Sequence, residues 1–220
     1  METIIHFLSD LSNHNFREWF SENKNRFNLA QKELLSTTQI LIDEIKKHDP
    51  AIAFSEPKDC IYRIYRDVRF SEDKSPYKNH MGSYIAPDGK QGVLPGYYLH
   101  IEAGKSFFAG GIWCPPKEIL HAIRLEIAHN GQEISEIINH PNFKKHFPNI
   151  EGEKLKTAPK GFDKDHPQIE LLRFKSILFC KPLSDQCISS GDFLTQIIDA
   201  SKELHKINHL FRTVIAESLQ

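Results

Sequence analysis

The 220-residue chain carries 28 basic and 29 acidic residues, so its formal net charge at pH 7 is -1. This balance argues against a generic nucleic-acid coat protein, which would have an excess of Lys and Arg. Hydrophobic residues make up 40% of the chain and no apolar run is long enough to cross a bilayer. We therefore expect a soluble single domain over residues 1–220, with no membrane partner.

Cysteine spacing and the first residues bear on the compartment. The four cysteines are widely spread and include no Cys-x-x-Cys pair, which fits reduced, buried thiols better than a disulfide framework. Acidic Glu2 lies near the start of the sequence, and the first residues contain no uninterrupted apolar segment. Both features are unlike a signal peptide. We therefore predict a cytoplasmic protein. The cysteines are Cys60, Cys114, Cys180 and Cys187.

Helical spacing of apolar residues runs through the N-terminal quarter and stops before Pro50. Asn15 followed by Glu18 fits a capping box, in which each side chain bonds the other residue's backbone N–H. A break in the helix is expected near Asn23–Asn25. The apolar face is predicted to belong to the core and comprises Phe16, Trp19, Phe20, Phe27, Leu34, Leu41 and Ile45.

The segment 61–70 is rich in aromatic and branched residues and predicts a β-strand, followed by turn residues at 71–76. Side chains alternate across a strand, so Arg66 should share the core-facing side with Ile64 and Phe70. A buried guanidinium is costly unless a carboxylate or several acceptors meet it. We therefore expect Arg66 to have such partners.

A meander of strands is predicted next. Residues 80–86 form one strand, and residues 96–102 and 106–113 form a hairpin around Gly104. Adjacent glycines at 110–111 indicate a bulge or the close approach of another backbone or ligand.

The C-terminal half reads mainly as helices. Helices are predicted after Pro116, around 134–138, near 143–147, at 167–172 and from Ser190 onward, with one strand at 174–180. The order of elements predicts the α+β class: a largely antiparallel sheet flanked by a long N-terminal helix and C-terminal helices.

Basic and tyrosine residues gather in the middle of the sequence. All six tyrosines lie between Tyr62 and Tyr98, and a tyrosine-lined cleft rich in Arg and Lys would suit a phosphate or carboxylate. Alternatively, the tyrosines are ordinary strand residues and nearby acids such as Glu72 and Asp73 neutralise the cations. The predicted binding residues are Arg63, Arg66, Arg69, Lys74, Tyr77, Lys78, Tyr98 and Lys160.

Two residues are candidates for proton transfer, Asp67 and His100. His100 followed by Glu102 also suggests a zinc deaminase, but the Pro-Cys-x-x-Cys motif that this chemistry needs is missing. A looser metal site of His80, His100 and Glu102 stays open, because nothing in the sequence fixes their separation. A histidine on a sheet face is also commonly just hydrogen-bonded. The sequence therefore assigns no metal ligand and no cofactor.

Six segments carry a resemblance: NFREWF at 15–20, NK at 23–24, RIYRDVRFSEDKSPYK at 63–78, GYYLHI at 96–101, GGIW at 110–113 and APKGFD at 158–163. Together they resemble the uncharacterised domain-of-unknown-function 2461 family of conserved hypothetical proteins. The similarity covers nearly the whole chain. It implies a single intracellular domain and assigns no activity, cofactor or catalytic residue.

Two functional hypotheses follow. In the first, the protein binds or acts on a small phosphorylated or carboxylated ligand in a cleft lined by Arg, Lys and Tyr. In the second, it is a non-catalytic binding module for nucleic acid or a protein partner. In that case the Arg–Asp cluster is structural and ties the segment to the first helix through Glu18 or Glu22. The sequence indicates no oligomeric state.

Overall fold

A computed structural model describes residues 1–219. The helices in this range are α1 (Glu2–Asn13), α2 (Arg17–Glu22), α3 (Lys24–Ile45), α4 (Pro57–Cys60), α5 (Lys117–Asn139), α6 (Pro141–His146), α7 (Ile169–Leu172), α8 (Asp185–Ser189) and α9 (Phe193–Ser218), with a 3-10 turn at Pro50–Ile52. The strands are β1 (Met81–Ile85), β2 (Gly96–Ile101), β3 (Ser106–Ile112) and β4 (Ile177–Leu183). None of these helices combines the length and the apolar content needed to span a membrane.

The four strands form one antiparallel sheet in the order β1-β2-β3-β4. This confirms the α+β prediction, the strand at 80–86 and the hairpin of β2 and β3. Gly104 lies in the hairpin turn with a φ of +71°, a left-handed conformation that glycine adopts without a steric penalty.

The chain divides into two compact units. One comprises residues 1–90, 98–108 and 182–198, and we call it unit 1. The other, unit 2, comprises residues 91–97, 109–181 and 199–220. Strands β2, β3 and β4 contribute residues to both units. The single-domain interpretation of residues 1–220 stays a prediction.

The helices of unit 1 bury an aromatic cluster. Phe7, Phe20 and Phe27 are at most 6% exposed, and their ring centroids lie 5.1–6.2 Å apart. The predicted break is confirmed, because α2 ends and α3 begins on either side of Asn23. The prediction that Phe16 belongs to the core is wrong, since 48% of this residue is exposed.

The predicted capping box is also wrong. Phe16, whose backbone is extended, occupies the N-cap position of α2, and no side chain caps that helix. Asn15 instead bonds a distant backbone: its amide donates to the carbonyl of Tyr77 at 3.0 Å and accepts from the N–H of Tyr77 at 3.1 Å. The second of these hydrogen bonds uses the side-chain oxygen, which is the atom that would accept from the helix N–H in a cap.

The predicted strand at 61–70 is absent. Two isolated antiparallel bridges, Ile61 with Ser83 and Tyr65 with Tyr77, replace it. The buried positions Ile61 and Ile64 are three residues apart, a spacing that the two-residue period of a strand cannot place on one face. Phe70, predicted to face the core, is 98% exposed.

A buried side-chain amide of unit 2 bonds the backbone of two glycines. Asn208 is 0% exposed; its side chain accepts from the N–H of Gly111 at 3.0 Å and donates to the carbonyl of Gly96 at 2.9 Å. Gly111 has a φ of +102°, and a Cβ there would lie 2.2 Å from the carbonyl oxygen of Ile177. The predicted close backbone approach at 110–111 is therefore confirmed.

The helices predicted after Pro116 and around 134–138 form one element. Helix α5 runs through both stretches, with a kink at Asn130, where the backbone leaves helical geometry. Its buried residues include Ile119, Ile123 and Ile127.

Candidate functional site

Three side chains of unit 1 form a hydrogen-bonded row along β2 and the residue after it. Alternate residues of a strand point to the same face, which places Tyr98, His100 and Glu102 side by side. The Tyr98 hydroxyl lies 2.9 Å from Nδ1 of His100, and Nε2 of His100 lies 3.1 Å from Oε2 of Glu102. His100 is therefore oriented by a carboxylate on one side and a phenol on the other.

The His100 ring is held between two other rings. His80 stacks on it at a centroid distance of 4.4 Å, and Phe107 packs against it at 4.6 Å with an interplanar angle of 13°. Burial lowers the pKa of His100, and the hydrogen bond to Glu102 opposes this effect. Burial, together with the charges of His100 and Lys78, lowers the pKa of His80 to about 4.

Tyr98 lies over a glycine of β1. A Cβ on Gly82 would be 2.8 Å from the Tyr98 hydroxyl oxygen and 3.0 Å from the carbonyl oxygen of Leu99. Only glycine therefore leaves the phenol its place beside His100. Burial raises the pKa of Tyr98, with smaller contributions from Tyr62 and Glu102.

The structure brings together the three residues of the loose metal site. One ring nitrogen of His80, one of His100 and one carboxylate oxygen of Glu102 all lie within 4.8 Å of each other. Glu102 is fixed further by Lys105, whose Nζ is 3.6 Å from Oε1, and by Ser106, whose hydroxyl accepts from the Glu102 N–H at 3.0 Å.

Two cations, Lys78 and Arg63, lie near each other, and the charge of Lys78 reaches His80. The Lys78 N–H donates to the carbonyl of Ile64 at 2.8 Å, which brings Lys78 beside Arg63. The ammonium of Lys78 lies 5.6 Å from the centroid of the Tyr62 ring. Burial, and then the charge of Arg63, lower the pKa of Lys78. Neither Lys78 nor Arg63 forms an ion pair with any residue in the range 1–219.

Arg63 also lines a cavity of about 230 Å³ in unit 1. Lys24, at the start of α3, is a second cation in its wall, with its Nζ 5.0 Å and 4.6 Å from the ring centroids of Phe20 and Phe27. Lys24 makes no ion pair within the described range. The complete lining is Lys24, Phe27, Gln31, Ile61, Tyr62, Arg63, Ile64, Tyr65 and Met81.

Arg66 has the partners that its predicted burial required. Its half-buried guanidinium pairs with the carboxylate of Asp73 and donates to the Ser75 carbonyl and the Ser71 hydroxyl, both at 3.2 Å. Hydrogen bonds from Ser75, followed by that from Arg66, lower the pKa of Asp73 to about 2. Arg66 is therefore engaged within its own loop.

Arg69 and Lys74 are engaged in the same way. Arg69 is 76% exposed along its side chain and grips Asp67 with hydrogen bonds of 2.6 Å and 3.0 Å. This pairing lowers the pKa of Asp67. Lys74 donates to the carbonyl of Val68 at 3.0 Å. The ion-pair alternative recognised in the sequence thus describes Arg69, whereas Lys74 bonds a backbone carbonyl and pairs with no acid in the range 1–219.

Neither of the two remaining predicted residues belongs to the lining of the cavity. Tyr77 is 6% exposed and stacks on Phe20 at 4.0 Å, so it belongs to the aromatic cluster. Lys160 is exposed and belongs to unit 2, whereas the other candidates belong to unit 1. Lys24 was not among the predicted binding residues, although it lies at the predicted helix break and in one of the segments that carry the family resemblance.

Comparison with known proteins gives one match. The profile of a family described as "Conserved hypothetical protein (DUF2461)" matches residues 3–210. No curated protein and no solved structure matches the chain. Because the match covers essentially the whole sequence, the chain belongs to the DUF2461 family.

Proposed function

We propose that this member of the DUF2461 family binds a small anionic ligand, phosphorylated or carboxylated, in the cavity lined by Arg63 and Lys24. One observation carries the proposal: Arg63, Lys24 and neighbouring Lys78 form no ion pair in the described range, whereas Arg66 and Arg69 each hold a carboxylate. Unpaired cations that lie close together repel one another, and an anion between them relieves the repulsion.

The cavity has the size and the walls for such a ligand. Its volume of about 230 Å³ is below the range typical of drug-sized ligands, roughly 300–1,000 Å³, so a small metabolite fits best. Arg63 can donate two parallel hydrogen bonds to a phosphate or carboxylate, while Lys24 adds a point charge. Tyr62 and Tyr65 supply apolar ring faces beside these donors.

Of the two catalytic candidates we favour His100, which does not itself line the cavity. Asp67 is occupied by Arg69. His100 is bonded to Tyr98, whose ring meets that of Tyr62 at a centroid distance of 6.2 Å, and Tyr62 lines the cavity. We therefore extend the proposal to an enzyme in which His100 belongs to the reaction centre.

A cytoplasmic location is part of the same proposal. All four cysteines are free, as expected for a reducing compartment. They are not uniformly buried as predicted, because Cys114 is exposed.

A ligand screen tests the proposal. Phosphorylated and carboxylated metabolites are screened for a rise in melting temperature, and the affinity of each hit is measured by calorimetry. Losing a charge-assisted hydrogen bond costs about 1.5–3 kcal/mol, so we expect Arg63→Ala to weaken binding by roughly 10- to 100-fold. Lys32→Met, which changes an exposed lysine of α3, is the matched control and should leave the affinity unchanged.

Arg69→Ala tests whether the anion is held by this cavity or by the other basic residues that were predicted from the sequence. Because Asp67 already holds Arg69, we expect little change in affinity. If Arg69→Ala abolishes binding and Arg63→Ala does not, the anion is held by the exposed loop and our proposal is wrong.

A second candidate function rests on the exposed aromatics. Phe70 is 98% exposed beside Arg69, whose guanidinium lies 6.0 Å from its ring, and Tyr65 is 47% exposed. Exposed aromatic and basic side chains together can stack on unpaired bases and contact phosphates. An affinity for single-stranded nucleic acid that falls steeply with salt and is lost in Phe70→Ala would favour this function.

A further inference from the structure

We infer that His80, His100 and Glu102 form a binding site for a divalent metal ion of the zinc type. Their three donor atoms all lie within 4.8 Å of one another, and those of His100 and Glu102 are 3.1 Å apart. Tetrahedral ligands at zinc–nitrogen distances of about 2.0–2.1 Å lie about 3.4 Å apart, so small side-chain movements would close the site.

The donor set matches the chemistry of zinc. Two imidazoles and one carboxylate are a combination found in catalytic zinc sites, which use three protein ligands and leave a fourth position for water or substrate. His80 is available for this role: within residues 1–219, its ring contacts His100 but neither of its nitrogens has a hydrogen-bond partner. The nitrogens of His80 are therefore not engaged by protein groups in that range and can reach an ion.

The surroundings of His100 fit a metal ligand. Ligating histidines commonly use their second ring nitrogen for a hydrogen bond that fixes the ring, and Nδ1 of His100 meets the Tyr98 hydroxyl at 2.9 Å. That leaves Nε2, the atom that faces Glu102, for the ion. Phe107 packs against the ring of His100, and Gly82 leaves room for Tyr98, so the orientation is fixed from several sides.

This inference goes beyond the proposed function, and only the use of the ion rests on that function. Metal binding requires His80, His100 and Glu102 whether or not the cavity takes an anion. In an enzyme of the kind proposed above, with His100 in the reaction centre, the ion would polarise an oxygen of the ligand. His100 would then serve the reaction as a metal ligand.

Zinc binding to the full-length, tag-free protein tests the site. After treatment with a chelator and with thiols kept reduced, the protein is titrated with Zn²⁺ by calorimetry and with Co²⁺ by visible absorption. We expect one ion per chain at this site, with the visible bands of a low-symmetry cobalt complex. His80→Ala and Glu102→Gln should each weaken binding by at least about tenfold, and Tyr98→Phe by roughly tenfold.

Two control variants guard against binding elsewhere. His6→Ala removes an exposed histidine of unit 1, and His209→Ala breaks the pair that His205 and His209 form on α9 at a centroid distance of 5.7 Å. Neither should change the affinity at the inferred site. If His209→Ala abolishes binding, or if His80→Ala and Glu102→Gln both leave it intact, the inference is overturned.

Loss of folding and loss of the anion site are separated by further measurements. Circular dichroism identifies a variant that does not fold, and Glu102→Gln, which preserves shape, then decides the result. Anion affinity is measured in the presence of the chelator. Absent zinc binding with intact anion binding overturns the metal site alone, whereas intact zinc binding without anion binding overturns only the proposed function.

Discussion

Replacing Gly82 by alanine perturbs the site through a single added methyl group. The new Cβ would lie 2.8 Å from the Tyr98 hydroxyl oxygen, and 3.0 Å from both Cε2 of Tyr98 and the carbonyl oxygen of Leu99. Favourable carbon contacts are about 3.5–4.0 Å long, so each of these contacts is short by roughly 0.5–1 Å. The phenol is the end of a side chain and has to shift, whereas the contact with the carbonyl is relieved only by a small movement of the backbone.

The expected cost follows from this overlap. Inserting a methyl group into a well-packed position typically destabilises a protein by about 1–3 kcal/mol. Moving the phenol also weakens its 2.9 Å hydrogen bond to His100, which is worth about 1 kcal/mol. We therefore expect Gly82→Ala to lower the free energy of unfolding by about 1–3 kcal/mol.

Urea denaturation measures this free energy, with Gly191→Ala as the matched control because no atom lies within 4 Å of the Cβ it would add. The control should show no loss of stability. Tyr98→Phe removes the atom closest to the new methyl group, so Gly82→Ala should cost less in that background, by at least about 0.5 kcal/mol. Equal costs in both backgrounds would refute the role of Gly82 in placing Tyr98.

Three other predictions concern a buried amide, the reactivity of the cysteines and a carboxylate. Asn208→Ala should destabilise the protein by about 2–4 kcal/mol in urea, because it leaves two buried backbone groups unpaired; a loss below about 1 kcal/mol would contradict this role. A thiol reagent at neutral pH should label exposed Cys114 much faster than Cys60 or Cys180, since burial raises the pKa of both to about 11; equal rates, measured by mass spectrometry, would contradict this. The pKa of Asp73 is lowered to about 2, so its contribution to stability is present above its ordinary value of 3.8 and is lost as the pH falls toward 2. Asp73→Asn should therefore flatten the dependence of stability on pH between about 2 and 3.8. An unchanged slope would refute the hydrogen bonds that Asp73 accepts from Ser75 and Arg66.

Local patterns predicted the sheet well. Alternating apolar residues and turn glycines are properties of neighbouring residues, and they identified β1 and the hairpin of β2 and β3. The same alternation put His100 and Glu102 on one face, where the structure finds them bonded.

Local patterns failed where distant contacts decide the conformation. The segment 61–70 has the composition of a strand, yet it pairs with its neighbours only at isolated bridges and turns Phe70 outward. Asn15 has the sequence context of a helix cap, but its side-chain amide forms hydrogen bonds with the backbone of Tyr77, 62 residues away.

The candidate site was predictable only in part for the same reason. Arg63 and Lys78 were identified from the sequence, but whether each cation is free or paired depends on where every acid lies. Lys24 reaches the cavity from α3, and His80 stacks on His100 from twenty residues away. Such distances come from tertiary packing, so the sequence left the metal cluster open and missed Lys24.

Nuclear magnetic resonance of the histidine rings tests the central claim most directly, namely that a small anion binds in the cavity lined by Arg63 and Lys24 and is acted on by His100. The ring signals of the twelve histidines are followed during titration with a ligand from the thermal screen. We predict saturable shifts for His80 and His100, lost in Arg63→Ala, while His121 of unit 2 does not respond. Saturable binding that leaves the ring signals of His80 and His100 unmoved would contradict the place of His100 in the reaction centre.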